Sequence, residues 1–266
     1  MVRVSAEMNV SRLQERLRTT NVGRSIIFSR VVASTNDLAK ELAALGASEG
    51  TVVFAEAQTC GRGRLGREWV SPIGGLWFSV VLRPKLEPSE ASRLVFVGGL
   101  AVAETLRELY GLAVATKWPN DVLINGKKVC GILAEMNTTG HKINRVVLGV
   151  GVNANFEVKA LPKVLWESAT TLETELGKID LERLFRALLE NLEGTYDVFT
   201  RRGFATVLQE WKSFACLLGG PVEVMDANEK YVGLALDVDC DGSLVLRLKD
   251  GSTRRVLAGD VSVQVG

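Results

Sequence analysis

Histidine and paired cysteine are scarce in this chain. Its 266 residues include one histidine, His141, and four cysteines, Cys60, Cys130, Cys216 and Cys240, with no Cys-x-x-Cys spacing. That argues against a histidine-based metal site or catalytic triad. It reads as reduced thiols in a cytoplasmic protein, not as a disulfide frame or zinc centre. Charge of one sign is also missing: 32 Lys and Arg against 31 Asp and Glu leave +1, too little for a field that gathers nucleic acid. No apolar run is long enough to span a bilayer, and no N-terminal stretch reads as a signal peptide. No Walker-type phosphate loop occurs, so a bound nucleotide must be held by arginines and loop amides.

What is present is concentrated in Gly61-Arg-Gly-Arg-Leu-Gly-Arg67, three glycines and three arginines within seven residues, just after an apolar run at 51–55 that reads as a buried strand. Glycine lets backbone N–H groups approach a ligand, and arginine grips phosphate or carboxylate with two bonds at once. The pattern predicts a mobile loop closing over an anion. Gly61-x-Gly63-x-x-Gly66 also fits the dinucleotide fingerprint, but that motif must open a helix. Here the loop leads into Leu76-Trp-Phe-Ser-Val-Val-Leu82, which has strand composition. A kinase-type glycine loop fails as well, because none of that family's downstream motifs follows.

Taken in order, the pattern predicts a short helix over 10–19 with Leu13 and Leu17 inward, too short for a winged helix-turn-helix domain. A strand over 24–32 follows, then a helix capped by Ser34 with Asp37 three residues on, as in a capping box. That helix should carry Leu38, Leu42 and Leu45 inward and stop at Gly46. Residues 87–110 read as one long helix opened by Pro88, weakened at Gly98-Gly99 where another backbone would pack close. Asn125-Gly126 signals a hairpin, and 145–153 continue the sheet. A helix start falls at 170–173. An amphipathic helix covers 180–200 with Leu181, Leu184, Leu188, Leu192 and Phe199 inward, and another spans 202–214. From Gly219 the texture changes to short strands with turns at 226–228, 241–242 and 250–251, a small β-barrel of roughly fifty residues. The expected fold is α+β with a mostly antiparallel sheet, with one domain over 1–218 and a second over 219–266.

Lys117-Trp-Pro-Asn-Asp121 sits at a strand end, where Pro119 forces a turn and brings Lys117 near Asp121. As surface this would be an ion pair of little worth. As a site, Lys117 is a point charge for a reacting phosphate or carboxylate. Alternation from Lys128 puts Cys130 and Ile132 on its own face, where a charge needs an anion or a pocket opening.

Three pieces combine: Ser34-Thr-Asn36 at a helix start, Gln58-x-x-Gly-Arg-Gly-Arg-x-Gly-Arg67 after a strand, and Lys-Trp-Pro-Asn-Asp121 followed by Asn125-Gly-Lys-Lys-x-x-Gly-Ile-Leu-x-Glu135. In order, spacing and identity this resembles the biotin–protein ligases over about 32–153, and more loosely in the C-terminal barrel. The resemblance implies a class II aminoacyl-tRNA-synthetase-like catalytic domain followed by an SH3-like barrel. It implies that biotin and ATP, with Mg²⁺ on the phosphates, yield biotinyl-5′-AMP, and that biotin then passes to a lysine of a carboxylase's biotin carboxyl carrier domain. Ser34, Thr35 and Asn36 would line the biotin pocket, with Gln58 on the biotin rings. Arg62, Gly63 and Arg64 would order over biotin and its adenylate, with Arg67 near the phosphates. Trp69 would pack beside adenine. Lys117 would stabilise the reacting carboxylate and α-phosphate, and Lys128 would hold the same linkage. Asn120 and Asp121 would border the adenylate, Gly131 would allow close backbone approach, and Asn153 would contact adenine. Cys60 and Cys130 stand where small residues are usual and read as packing substitutes.

The charges fit this chemistry. A carboxylate attacking a phosphate is repelled, so cations must neutralise both partners and hold them in line. The acceptor lysine, with a free pKa of about 10.4, must lose a proton first, and no base is identified; Asp121 is a weak candidate. Only about twenty residues precede the first catalytic strand, which predicts a ligase without the DNA-binding repressor function of bifunctional relatives. Edge-strand homodimers are the expectation carried by the family. The alternatives are a lipoate–protein ligase of the same architecture, a nucleic-acid module using Gly-Arg-Gly-Arg in a minor groove, and a non-catalytic biotin-binding regulator.

Overall fold

The structure, a computed structural model, describes residues 8–139, 142–226, 229–257 and 259–263. Its larger sheet contains β1 (Ile26–Val32), β2 (Val52–Gln58), β3 (Leu76–Leu82), β4 (Val114–Lys117), β5 (Asp121–Ile124), β6 (Lys127–Thr139) and β7 (Lys142–Val152) in the order β1-β2-β3-β7-β6-β5-β4. Only β1 and β2 run parallel. Helix α2 (Thr35–Ala44) supplies the crossover that parallel neighbours require. All seven residues of β3 are buried, as expected for a central strand that is apolar on both faces. Ser79 is its single polar residue.

One face of this sheet is sealed by α3 (Leu94–Tyr110), α5 (Leu181–Arg202) and α6 (Phe204–Ser213), with α1 (Val10–Arg16) against α5 and the short α4 (Leu172–Leu176) leading into it. Phe185 of α5 lies 5.0 Å from both Phe54 and Phe78, ring to ring. Asp180 caps α5 by accepting from the Arg183 amide, and Leu184, Leu188, Leu192 and Phe199 are buried at helical spacing. The other face is covered only in part, where Ala39 and Ala43 of α2 pack on Val53, Val81 and Val147.

A second sheet of β8 (Pro221–Asp226), β9 (Glu229–Val238), β10 (Leu244–Leu248), β11 (Thr253–Val256) and β12 (Asp260–Val263) is antiparallel throughout, in the order β11-β10-β9-β8-β12. Gly242 and Gly251 hold positive φ at the two Asp-Gly turns. The sheet leans on the larger unit: Trp118 Nε1 donates to Gly242 O at 2.9 Å, and Lys212 pairs with Asp237 at 2.6 Å. Among the described residues no helix is long and apolar enough to cross a membrane.

The α+β architecture and the Asn125-Gly126 hairpin stand as expected, with both hairpin residues at positive φ. Four local expectations are corrected. Residues 87–110 are not one helix: Pro88–Arg93 is a 3-10 turn closed by a Glu87–Glu90 capping box, and the α-helix starts at Leu94. Leu45 is 85% exposed, because α2 ends at Ala44 and its buried face is small residues. Ser34 caps α2 through the Asp37 amide, but the Asp37 carboxylate turns outward to Lys40 and Arg62. Gly98 and Gly99 admit the side chains of Ile132 and Trp211, not a second backbone. His141 and the turn at 227–228 lie outside the described residues.

Candidate active site

The uncovered face of the large sheet is floored by glycine. Gly131 of β6 stands directly opposite Gly151 of β7, with Gly149 two residues back on the same face. A Cβ at Gly149 would meet Asn36 Oδ1 at 2.2 Å, and one at Gly151 would meet the Trp69 indole at 2.4 Å. The floor therefore exists so that two side chains from elsewhere can lie on the sheet.

Lys128 reaches this face through a bulge. In the β5–β6 ladder Val122 pairs with Cys130 and Leu123 with Lys128, leaving Val129 as the extra residue. The expectation that Lys128 shares a face with Cys130 and Ile132 is thus overturned. Cys130 and Ile132 are buried in the helix-covered core, where burial pushes the Cys130 thiol well above its usual range. Lys128 instead lies beside Gly131, its Nζ 4.9 Å from the Trp69 ring centre and 2.6 Å from Asp121 Oδ1. Lys117 and Asp121 are directly opposed in the β4–β5 pair, as expected. The ion pair, however, belongs to Lys128. Among the described residues no carboxylate pairs with the Lys117 ammonium.

At the other end of the face, hydroxyls and amides interlock. Gln58 Oε1 accepts from the Thr35 amide at 2.8 Å, and its Nε2 donates to Ser71 Oγ at 2.8 Å. The buried Ser79 hydroxyl lies 2.8 Å from Thr35 Oγ1 and 2.6 Å from Asn36 Oδ1. Asn36 Nδ2 donates to Glu135 Oε2 at 2.8 Å.

The Gly–Arg loop folds back as a small hairpin over this face, with Trp69 N donating to Gly61 O and Gly63 N to Arg67 O. A Cβ at Gly61 would stand 2.2 Å from Trp69 O, so only glycine fits there. The loop's three arginines are all engaged. Arg62 reaches Asp37 and Glu135, each at 3.0 Å. Arg64 donates to Asn120 Oδ1 at 3.1 Å and to Gly259 O at 3.2 Å. Arg67 pairs with Asp260. Burial lowers the Arg64 pKa, opposed by Asp260 and Asp121. Asn153 is buried, its Nδ2 donating to Thr170 O at 3.0 Å.

One cavity of about 400 Å³ is lined by every residue singled out in the sequence: Ser34, Thr35, Asn36, Gln58, Arg62, Gly63, Arg64, Arg67, Trp69, Lys117, Asn120, Asp121, Lys128, Gly131 and Asn153. Sequence reasoning gave no role to Gly149, Gly151 and Asp260, which also line it, or to Ser79, Ser71 and Glu135, which hold its walls. Two signals were available: a lone serine in an apolar strand, and Gly-x-Gly spacing within β7.

Comparison with known proteins follows the same outline. Residues 28–153 match the biotin/lipoate A/B protein ligase family, and residues 217–264 match the biotin protein ligase C-terminal domain. A biotin--[acetyl-CoA-carboxylase] ligase of Paracoccus denitrificans is 36% identical, over 80% of this chain and 90% of its own. The chain belongs to the biotin protein ligases. A bifunctional ligase/repressor of Bacillus subtilis is 33% identical over 99% of this chain and 81% of its own length. Among solved structures of the family, the Aquifex aeolicus biotin protein ligase in complex with biotin and ATP superposes with a TM-score of 0.78 at 30% identity, covering 91% of this chain and all of that one.

Proposed function

We propose that this ligase joins biotin to AMP inside the cavity over the glycine floor and then passes biotin to a lysine of the biotin carboxyl carrier domain of acetyl-CoA carboxylase. The observation that carries this reading is the division of one cavity into two chemistries. Ser34, Thr35, Asn36 and Gln58 form a neutral wall of donors and acceptors beside β3 and β7, suited to the cyclic urea of biotin. Arg64, Arg67, Lys117 and Lys128 form a cationic wall toward β5 and β4. From β7 to β4 is three inter-strand steps, about 14 Å, so a ligand with a neutral head and an anionic tail spans the two.

In the first step an oxygen of the biotin carboxylate bonds to the α-phosphorus of ATP and pyrophosphate leaves. Lys117 neutralises both reacting anions, and Lys128, held by Asp121, borders the same linkage. Trp69, laid over Gly131 and Gly151, offers a flat surface to adenine, and Asn153 closes that end. Arg62, Gly63 and Arg64 cover the mixed anhydride and keep water from it. In the second step the deprotonated carrier lysine attacks the anhydride carbonyl and AMP leaves. Among the described residues no three His, Cys, Asp or Glu side chains form a metal cage, and Asp121 and Asp260 are occupied by cations. In this reading the ATP phosphates would hold Mg²⁺, which would share their charge.

A homodimer through an edge strand belongs to the same reading, supported by Val31 at 55% and Ile27 at 38% exposure on β1. So does ligase activity without operator binding, supported by the near-zero net charge. The test is incubation with biotin, Mg-ATP and the carrier domain, followed by mass measurement. The expected gain is one biotinyl group, absent when the acceptor lysine is arginine. Lipoate in place of biotin should give none, and equal transfer of both would overturn the assignment.

A further inference from the structure

Glu135 belongs to the motif that carries the family resemblance but has no role in the steps above, and Ser79 has none either. Both converge on Asn36. Glu135 Oε2 accepts from Asn36 Nδ2 at 2.8 Å, and Ser79 Oγ lies 2.6 Å from Asn36 Oδ1. A carboxylate only accepts, so the Asn36 nitrogen must face Glu135. An amide oxygen only accepts, so the Ser79 hydroxyl is the donor to Asn36, while the Thr35 hydroxyl donates to Gln58 Oε1 at 3.1 Å. The amide is thereby clamped in one of its two orientations, on a floor where Gly149 leaves no room for even a methyl group.

We propose that Ser79 and Glu135 are positioning residues that set which way the Asn36 amide faces, and so which donors and acceptors of the cyclic urea the pocket accepts. This rests on the reading that the cavity takes biotin. Glu135 does a second thing at once. Its Oε1 is shared by Lys40 at 2.9 Å and by Arg62 of the Gly–Arg loop at 3.0 Å. One carboxylate therefore ties the pocket floor to the loop above it, and Lys40 keeps that carboxylate in place if Arg62 leaves.

The test compares wild type, Ser79→Ala, Glu135→Ala and Glu135→Gln by calorimetric titration with biotin and with 2-iminobiotin, whose cationic guanidinium puts an N–H donor where biotin has its urea oxygen, alongside KM for ATP and thermal melting. Ser79→Ala and Glu135→Ala should each weaken biotin roughly tenfold and narrow the preference for biotin over the imino analogue, with KM for ATP unchanged in Ser79→Ala. Glu135→Gln keeps an acceptor for Asn36 and should retain most of that preference. Trypsin should cut the loop at its arginines faster in ligand-free Glu135→Ala than in Ser79→Ala, since only the former takes away one of the two carboxylates that hold Arg62, leaving Asp37 alone. Unchanged preference in both alanine variants overturns the inference. So does equal weakening of biotin, imino analogue and ATP with a lowered melting point. Wild type that binds no biotin overturns the reading of the cavity itself.

Discussion

The two faces of strand β7 show opposite rules at adjacent residues. Leu148 points into the helix-covered core with no exposed surface, in van der Waals reach of the space beside Gly98. Gly149, next in sequence, faces the cavity and gives up its side chain so that Asn36 can occupy the space. On the covered face apolar side chains fill the volume, and their burial stabilises the sheet. On the open face volume is withheld, and polar groups from α2, β2, β3 and the Gly–Arg loop fill it in a fixed arrangement. Stability and chemistry are therefore separated by the pleat of one strand.

The sharpest way to break that comparison is Gly149→Val. A β-branched residue suits a strand, so the sheet should persist, but the displaced Asn36 should abolish measurable biotin binding by titration. Next in size, Lys117→Ala should lower the rate of biotin-dependent pyrophosphate release by about 10²–10³, with the melting temperature within a few degrees of wild type. Leu148→Ala should do the reverse, costing about 2–5 kcal/mol in denaturant unfolding while leaving KM for biotin and ATP unchanged. If Leu148→Ala altered those constants more than Gly149→Val, the separation of faces would be wrong. The smallest effect is chemical. Cys130, buried on the covered face with its thiol pushed up by desolvation, should resist alkylation in the native protein, whereas the exposed Cys60 at the start of the Gly–Arg loop should react. Peptide mass mapping after brief iodoacetamide treatment distinguishes them.

Much of the fold was legible because its signals are local. Ser34, Thr171 and Asp180 each cap a helix by accepting the amide three residues on, and Asn125-Gly126 turns the hairpin through positive φ. The fifteen site residues came from the family resemblance that the motifs carry, and all of them line one cavity. What was missed depends on register or on long-range contact. The extra residue at Val129 turns Lys128 away from Cys130, and strict alternation cannot foresee a bulge. Leu45 fits the helical period yet lies just past the helix end, where periodicity no longer decides burial.

By itself, then, the chain's order of residues determined which segments coil or extend and where they turn, since each of these follows from neighbours a few positions apart. Only the tertiary structure decided that Glu135 would meet Asn36 across 99 residues, or Asp260 meet Arg67 across 193. Such meetings are set by strand order, by one bulge and by the seating of the second sheet, which are properties of the packed whole.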